Sequence, residues 1–439
     1  MTINHILFSS NIEMLKFISI PLLGLFLQLF SVEPEKLEPV PLLSWNKADI
    51  FNLVTQEDPT VEKIVQDYLR KLERQGLDKA PGVWIQSDWI DLADNRATTP
   101  MSAASLTKIA TTLAALEKLP WDYRFVTELY TTGEIKNGIL QGDLIIKGGG
   151  DPLFVWEEAI ILGNSLNQLG IRKITGNLVI TGDFAMNFNH NSLQAGNLLK
   201  QALNSNLWSA AIEKQYQKLL PNTPRSQVII NGTVLLKDSL ANNADLILRH
   251  QSPTLTYILK QMNIYSNNHI AQMVANYIGG TQFVRETVTK LANISQTEIQ
   301  LVNGSGLSVD NRISPRAVCS IYLALQGKLE STPLNIADLF PVAGIDQKGT
   351  IKERDIPDGV AIKTGTLAQV SALAGVIPTA DRGPICFAII NQGGSIERFR
   401  SEQDELVQHL AQHWQLNPAV TKPKNSLSET LGDPLRNQS

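Results

Sequence analysis

The chain has 439 residues, of which 43% are hydrophobic and 18% charged, with a formal net charge of −4 and a pI near 5.9. This is the composition of an ordinary soluble globular protein, and the length is sufficient for two domains with buried cores. The slightly acidic balance, without a basic stripe, argues against a nucleic-acid partner. No P-loop and no paired Cys-x-x-Cys motif occurs, so we expect neither a nucleotide cofactor nor a metal.

The first recognisable element is an apolar segment, Phe17–Phe30, which is preceded by Lys16. It is short for a membrane-spanning helix and suits the apolar core of a secretory signal. Because no Ala-x-Ala cleavage site follows, residues 1–32 are interpreted as either a cleaved signal peptide or a retained N-terminal anchor. In both cases we predict that the body of the protein is exported, to the periplasm or to the outer face of the cytoplasmic membrane.

The next part of the chain leads from this segment into a folded body. Residues 33–58 are rich in Pro and Glu and are predicted to be a linker. Thr60–Gln75 carries an apolar stripe at helical spacing and predicts an amphipathic helix. Gly82–Gln86 and Trp89–Ala93 are expected to form a β-hairpin.

A first chemical motif is Ser105-Leu106-Thr107-Lys108, at the start of a predicted helix, Leu106–Leu119. The spacing places a hydroxyl and an amine one helical turn apart on the same face. Serine is a weak nucleophile unless a base takes its proton, and lysine can be that base only when its pKa is lowered. The spacing alone is weak, because Ser44-Trp45-Asn46-Lys47 shows it as well.

A β-rich block of about 120 residues follows the Ser105 helix and interrupts the sequence before the next motif. Four segments have strand-like patterns, at Arg124–Thr132, Ile139–Lys147, Lys173–Thr181 and Gln227–Lys237. We interpret residues 123–242 as an inserted β-rich domain.

Two further motifs follow the insertion. Ser266-Asn267-Asn268 lies between two helical stretches, Leu255–Met262 and Ile270–Ile278, and is predicted to form a tight interhelical turn. Lys363-Thr364-Gly365 ends a short apolar strand. A helix start, an interhelical turn and an edge strand can form three walls of one cleft.

The C-terminal portion predicts three strands and a closing helix. The strands are Val360–Thr366, Ser371–Ile377 and Pro384–Gln392, and the helix is Ile396–Trp414. Strands from both ends of the chain would build one antiparallel sheet, with terminal helices on one face and the Ser105 helical cluster on the other. The fold class is therefore α/β in the α+β sense, with a β-rich insertion. Residues 417–439 are polar and are predicted to be disordered.

The three motifs, in this order, resemble those of the penicillin-recognising serine DD-peptidases, the family that includes penicillin-binding proteins and serine β-lactamases. The chain is most similar to the D-alanyl-D-alanine carboxypeptidase/endopeptidase (S13-like) branch, which has a long insertion between the first two motifs. Further matching segments are Gly148-Gly149-Gly150-Asp151-Pro152, His250-Gln251-Ser252-Pro253, Asn303–Ser308, Gly344 and Gly349-Thr350. Two features depart from the pattern: Asn303 stands where relatives usually carry Asp, and the stretch Phe184–His190 lacks the aromatic-rich pattern expected there.

The resemblance implies a β-lactamase/DD-peptidase-like fold, with residues 59–122 and 243–416 forming the penicillin-binding domain. It implies a serine-type D-Ala-D-Ala carboxypeptidase/endopeptidase that acts on peptidoglycan stems through an acyl-enzyme, needs no cofactor and is acylated by β-lactams. The implied catalytic residues are Ser105 as nucleophile, Lys108 as base, Ser266 as proton relay and Asn268 as the group that holds Lys108 and the substrate amide. The implied substrate-binding residues are Lys363, Thr364, Gly365 and Thr366, and the backbone N–H groups of Ser105 and Thr366 would form the oxyanion hole.

Two other functions stay open at this point. A serine β-lactamase would use the same motifs, and Glu298–Asn303 comes close to the Glu-x-x-Leu-Asn pattern that such enzymes use for deacylation, with Asn one residue late. An anchored wall-binding protein with a vestigial site is the non-enzymatic alternative. The two cysteines, Cys319 and Cys386, could pair in an exported protein or could remain small buried hydrophobes.

Overall fold

The structure is a computed structural model, and it describes residues 58–77, 79–87, 90–380, 382–424 and 429–439. The predicted signal or anchor segment and all but the last residue of the predicted linker lie outside the described residues. No helix of the described part combines the length and the apolar character that crossing a bilayer requires.

The described residues form ten α-helices. They are α1 (Pro59–Arg74), α2 (Thr107–Lys118), α3 (Trp156–Gln168), α4 (Ser192–Ala202), α5 (Ala210–Tyr216), α6 (Leu255–Ile264), α7 (Asn268–Tyr277), α8 (Gly280–Leu291), α9 (Pro315–Leu329) and α10 (Ile396–His413).

The strands fall into four sheets. They are β1 (Gly82–Ser87), β2 (Ile90–Asn95), β3 (Met101–Ser102), β4 (Val126–Thr131), β5 (Ile135–Lys136), β6 (Ile139–Leu140), β7 (Leu144–Gly149), β8 (Lys173–Ile174), β9 (Leu178–Asp183), β10 (Ile229–Ile230), β11 (Val234–Leu236), β12 (Asp245–Gln251), β13 (Ile299–Gln300), β14 (Arg312–Ile313), β15 (Ala361–Leu367), β16 (Val370–Pro378), β17 (Pro384–Gln392) and β18 (Asn437–Gln438).

The five-stranded sheet has the order β15-β16-β17-β1-β2 and is antiparallel throughout. Strands from the two ends of the folded body therefore share one sheet, as the sequence predicts. Along β16, Ala372 and Ala374 pack with the helical core formed by α2 and α6–α9, whereas Leu373 and Ile377 pack with α1 and α10. Because both faces are covered, the central strands are almost continuously buried, and β15 is left as the edge that borders the helical cluster.

The inserted region was predicted to be β-rich, and the structure shows an α/β lobe in which α3, α4 and α5 accompany the strands. Its six-stranded sheet has the order β11-β9-β7-β4-β12-β18, and the pairs β7–β9 and β9–β11 are parallel. Parallel neighbours need a crossover connection, which α3 provides for the first pair and α4 with α5 for the second. Helix α3 is buried on nearly all sides, so its sequence lacks the amphipathic stripe that would have identified it.

The sheet of this lobe also extends beyond the predicted bounds of 123–242. Strand β12 pairs with β4, and β18 pairs with β12 at Arg249 and His250. The lobe has a hydrophobic core of its own, separate from the two cores on either face of the five-stranded sheet.

Residues 417–439 were predicted to be disordered, and the structure corrects this for their described part. Asn437 pairs with β12, and Arg436 forms an ion pair with Glu158 of α3 at 2.5 Å, with both side chains buried. Glu429 accepts hydrogen bonds from the backbone N–H and the hydroxyl of Thr254. These partners lie far away in the sequence, so local composition could not indicate them.

Candidate active site

Ser105 lies in a single 3-10 turn, Ala104–Leu106, that leads directly into α2. The residue before it, Ala104, has a φ of 46°, a left-handed conformation that is unfavourable for a residue with a Cβ. The short strand β3 precedes this turn and is held by β14, where Ser102 pairs with Arg312. The serine is thus presented by a strained turn between two fixed elements.

Lys108 follows one turn later and its side chain is completely buried. Its Nζ lies 3.0 Å from Ser105 Oγ, 2.8 Å from Asn268 Oδ1 and 2.5 Å from the carbonyl oxygen of Ser305. Burial lowers the pKa of Lys108 from its ordinary 10.5 to about 7.

The three neighbours of Lys108 fit a neutral amine. A neutral amine has two hydrogens and one lone pair. The oxygens of Asn268 and Ser305 can accept the two hydrogens, and the Ser105 hydroxyl can donate its proton to the lone pair. An ammonium would instead have three donors at a site from which water is largely excluded. The geometry therefore permits, and the lowered pKa favours, a lysine that can accept a proton from Ser105.

The second motif forms the connection between α6, which ends at Ile264, and α7, which begins at Asn268. The predicted interhelical turn is therefore confirmed. Ser266 adopts a φ of 51°, and Asn267 caps α7 by accepting from the backbone N–H of His269 and Ile270. This conformation points Asn268 towards Lys108 and leaves the Ser266 hydroxyl on the side of Lys363.

Lys363 lies on the edge strand β15 and is also completely buried. Its Nζ donates to Ser266 Oγ at 2.9 Å and to the carbonyl oxygen of Thr364 at 2.7 Å. Burial, and secondarily the nearby Lys108, lower the pKa of Lys363 well below its ordinary value. Two lysines thus share one water-poor site, and each disfavours a positive charge on the other.

Gly365 and Gly306 permit a close approach of three chain segments around Ser105. A Cβ on Gly365 would lie 2.9 Å from the carbonyl oxygen of Ala103 and 3.2 Å from the Ser105 nitrogen. Gly306 has a φ of 82°, and a Cβ there would lie 1.9 Å from the carbonyl oxygen of Ala104. Only glycine fits these positions, which brings the edge of β15 against the serine turn.

Asn303, which departs from the family pattern, still organises the loop that follows it. Its Oδ1 accepts from the backbone N–H groups of Ser305 and Gly306, from the Ser305 hydroxyl and from Asn311 Nδ2. A neutral amide therefore makes the loop network, and this network holds the Ser305 carbonyl that accepts from Lys108.

Glu298, which suggested a β-lactamase, is committed to other contacts. It is buried, forms an ion pair with Arg316 and accepts a hydrogen bond from the Ser314 hydroxyl at 2.7 Å. A carboxylate held in this way cannot readily act as the base of a deacylation step.

The structure adds three residues whose part in the site was not recognised from the sequence. Ser305 contributes its carbonyl oxygen to Lys108. The hydroxyls of Thr350 and Thr364 are 2.7 Å apart, and Arg400 of α10 donates to the hydroxyl of Thr366 at 3.2 Å. Gly349-Thr350 is one of the segments that match the family pattern, whereas Arg400 lies in an amphipathic helix without any local signal.

Cys319 and Cys386 are free thiols, and both are buried. Among the described residues, no group of three or more His, Cys, Asp or Glu side chains is arranged to hold a metal ion.

The sequence matches the model of the D-Ala-D-Ala carboxypeptidase 3 (S13) family over residues 66–192 and 181–413. The chain belongs to this family. The match spans the serine turn, the insertion, the second motif and the edge strand, so it includes every part of the site described above.

Individual proteins are similar to this chain in sequence or in fold. The D-alanyl-D-alanine carboxypeptidase DacB of Haemophilus influenzae is 26% identical over 404 residues, which cover 69% of this chain and 83% of that protein. A predatory peptidoglycan endopeptidase of Bdellovibrio bacteriovorus has a similar structure, with a TM-score of 0.62 and 20% identity, covering 80% of this chain and 96% of that chain. Penicillin binding protein 4 of Haemophilus influenzae gives a TM-score of 0.58 at 21% identity, covering 79% and 98%.

Proposed function

We propose that this protein is a serine-type D-alanyl-D-alanine carboxypeptidase that cleaves peptidoglycan stems through an acyl-enzyme formed on Ser105. The observation that carries the proposal is the contact of Ser105 Oγ with Lys108 Nζ at 3.0 Å, in surroundings that favour the neutral amine. Membership of the S13 family supports the reaction class.

In the acylation step, Lys108 Nζ accepts the proton of Ser105 as Oγ attacks the carbonyl carbon of the penultimate D-alanine. The backbone N–H groups of Ser105 and Thr366 are proposed to stabilise the oxyanion. The C–N bond then breaks. Ser266, whose Oγ accepts a hydrogen bond from Lys363 Nζ, gives its proton to the leaving amine and regains one from the protonated Lys108. Lys108 is therefore neutral again when D-alanine departs.

In the deacylation step, a water molecule attacks the ester carbonyl and transfers its proton to Lys108. Ser105 leaves with a proton returned from that lysine, which restores the resting enzyme. Asn268 keeps Lys108 in place through its Oδ1 and is available to bind the substrate amide.

Lys363, Thr364 and Gly365 are proposed to bind the terminal carboxylate and the adjoining backbone of the stem. A carboxylate beside Lys363 would favour its charged form and oppose the effect of burial on its pKa. Lys363 would therefore be largely uncharged when the site is empty and would take up a proton as the anionic terminus enters.

We further propose that the enzyme works outside the cytoplasm, since its substrate is there and the apolar segment Phe17–Phe30 has the features of an export signal. β-Lactams are the expected covalent inhibitors, because they present a strained amide and a carboxylate to the same residues.

The test is labelling of the purified protein with a fluorescent penicillin, together with release of D-alanine from a pentapeptide stem. We expect stable labelling of the wild type and D-alanine release. Rapid loss of the label would indicate a β-lactamase, and the absence of both label and release would indicate a binding protein and overturn the proposal.

A further inference from the structure

A turn of the inserted lobe reaches the second motif. It lies between β9 and α4 and ends at His190, whose Nε2 is 3.1 Å from Nδ1 of His269. The two imidazole rings are nearly parallel, with an interplanar angle of 28° and centroids 5.3 Å apart. Phe188 of the same turn also stacks on His269, with centroids 6.4 Å apart. This is the segment that departs from the aromatic-rich family pattern.

The turn is held in a defined conformation. Asn187 and Phe188 have φ values of 49° and 67°, which non-glycine residues rarely adopt unless neighbouring contacts impose them. Here Asn187 N–H donates to the carbonyl of Phe154, and Met186 forms an isolated bridge with Asn189. The backbone that leads to His190 is thus held by contacts within the lobe.

His269 directly follows Asn268 in the first turn of α7. Its backbone N–H is held by the cap residue Asn267 at 2.9 Å, and Asn268 Oδ1 accepts from Lys108 Nζ. A contact made by the His269 side chain therefore constrains the first turn of α7, which also carries Asn268. The far end of α7 is also in contact with the entrance to the lobe, where the hydroxyls of Tyr277 and Tyr123 are 2.5 Å apart.

We propose that His190 is a positioning residue for the second motif: its contact with His269 fixes the first turn of α7 and keeps Asn268 on Lys108. The inference rests on the proposed function, since it concerns the rate of Ser105 acylation. Two neutral imidazoles can share one N–H···N hydrogen bond, and a singly protonated pair can do so as well. Two imidazolium rings have no acceptor and repel each other.

Two groups act electrostatically on His190 in the described structure. Burial first, and then the neighbouring His269, lower its pKa, whereas Asp183 at the end of β9 acts in the opposite direction. A lowered pKa means that the folded protein favours the neutral ring of His190, so the contact is intact at neutral pH and weakens only as the pH falls through this lowered pKa. Both rings are exposed, so we expect a modest effect.

The experiment compares second-order acylation rates with a fluorescent penicillin between pH 5.5 and 8. The variants are His190→Ala, His190→Gln, which keeps a polar contact that cannot titrate, and His409→Gln as a control at an exposed histidine of α10. We expect His190→Ala to acylate about fivefold more slowly than wild type at pH 7.5, the lower end of couplings between sites. The ratio of the His190→Gln acylation rate to the wild-type rate should rise as the pH is lowered. Taking this ratio cancels the titration of Lys108, which is common to both proteins.

The outcomes separate this inference from the proposed function. Wild type that is not labelled at all would overturn the function itself. Labelled wild type with His190 variants that match His409→Gln at every pH would overturn only the positioning role. A loss of rate in His190→Ala that follows its loss of thermal stability, with no change in the pH profile of His190→Gln, would also contradict it, because that is the behaviour of a merely structural residue.

Discussion

Lys108 Nζ and Asn268 Oδ1 lie 2.8 Å apart although 160 residues separate them in the chain. This hydrogen bond joins the first motif to the second across the inserted lobe. It also directs one amine hydrogen of Lys108 towards Asn268 and away from Ser105. The lone pair of the neutral amine is then free to accept the hydroxyl proton.

The nucleophile is tested by Ser105→Ala. We expect this variant to lose covalent penicillin labelling while it keeps the melting temperature of the wild type, because the small, partly exposed hydroxyl can be removed without leaving a cavity. Ser44→Ala is the matched control, since Ser44 begins the other Ser-x-x-Lys sequence, and it should label normally. A mass-spectrometric adduct on any residue other than Ser105 would contradict the assignment.

The pH dependence of acylation should report Lys108. Its amine must be neutral to accept a proton, and burial lowers its pKa to about 7, so the rate should increase as the pH rises through 7 and level off above about pH 8. Because the pKa of Lys108 is lowered in the folded protein, the unfolded chain binds more protons than the folded one between pH 7 and 10.5. Lys108 therefore makes the free energy of unfolding increase with pH in that range. A rate that falls between pH 6 and 8 would exclude a neutral-lysine base.

Carboxylate recognition is tested by Lys363→Ala on two substrates, a stem with a free C-terminal carboxylate and the same stem amidated. We expect the loss to be larger for the free carboxylate by about 1.5–3 kcal/mol of activation free energy, as for a hydrogen bond to a charged group. Lys352 is an exposed lysine on the preceding loop, and Lys352→Ala is the control. It should show the same preference for the free carboxylate over the amide as the wild type. Equal losses on both stems would show that Lys363 does not recognise the carboxylate.

We predict DD-endopeptidase activity in addition to carboxypeptidase activity. A cross-link also presents an amine-linked D-alanine with a free terminal carboxylate, which Lys363 and Thr364 could bind as they bind a pentapeptide terminus. The inserted lobe could shape the cleft for such branched peptides. Digestion of purified muropeptide monomers and dimers, followed separately by chromatography, measures both reactions. Intact dimers beside trimmed monomers would leave only the carboxypeptidase activity.

The stability of the inserted lobe should depend on Arg436. Its side chain and that of Glu158 are 6% and 0% exposed, so Arg436→Ala would leave a buried carboxylate without its main partner and lower the free energy of unfolding by about 3 kcal/mol. Arg70→Ala is the control, since its ion pair with Asp67 is exposed on α1 and should change stability by less than about 1 kcal/mol. Urea unfolding measures the free energy of unfolding of both variants. Similar losses in the two variants would contradict the structural role of Arg436.

The sequence predicted the parts of the fold that depend on local pattern. The edge strand with Lys363, the turn at Ser266 and the closing helix α10 were found where periodicity and turn chemistry placed them. The motif order also indicated which side chains would meet, since a helix start, a turn and a strand edge leave few ways to form one cleft.

Other features depend on contacts that no local pattern contains. Helix α3 is buried on nearly all sides and shows no stripe, and Arg436 meets Glu158 across 278 residues of chain. The carbonyl of Ser305 and the guanidinium of Arg400 are likewise brought to the site by packing. For these positions the residue type alone carries no signal.

The pairing of β18 with β12 has a consequence for how the chain folds. His250 and Asn437 are joined by a hydrogen bond between residues 187 positions apart, so the sheet of the inserted lobe gains its outermost strand only after the whole catalytic body has been synthesised. Contacts of such high sequence separation form slowly, because the chain loses entropy in closing the loop before the new contacts stabilise it. We therefore expect refolding to include a slow phase in which His250, Glu158 and their neighbours acquire protection from hydrogen exchange.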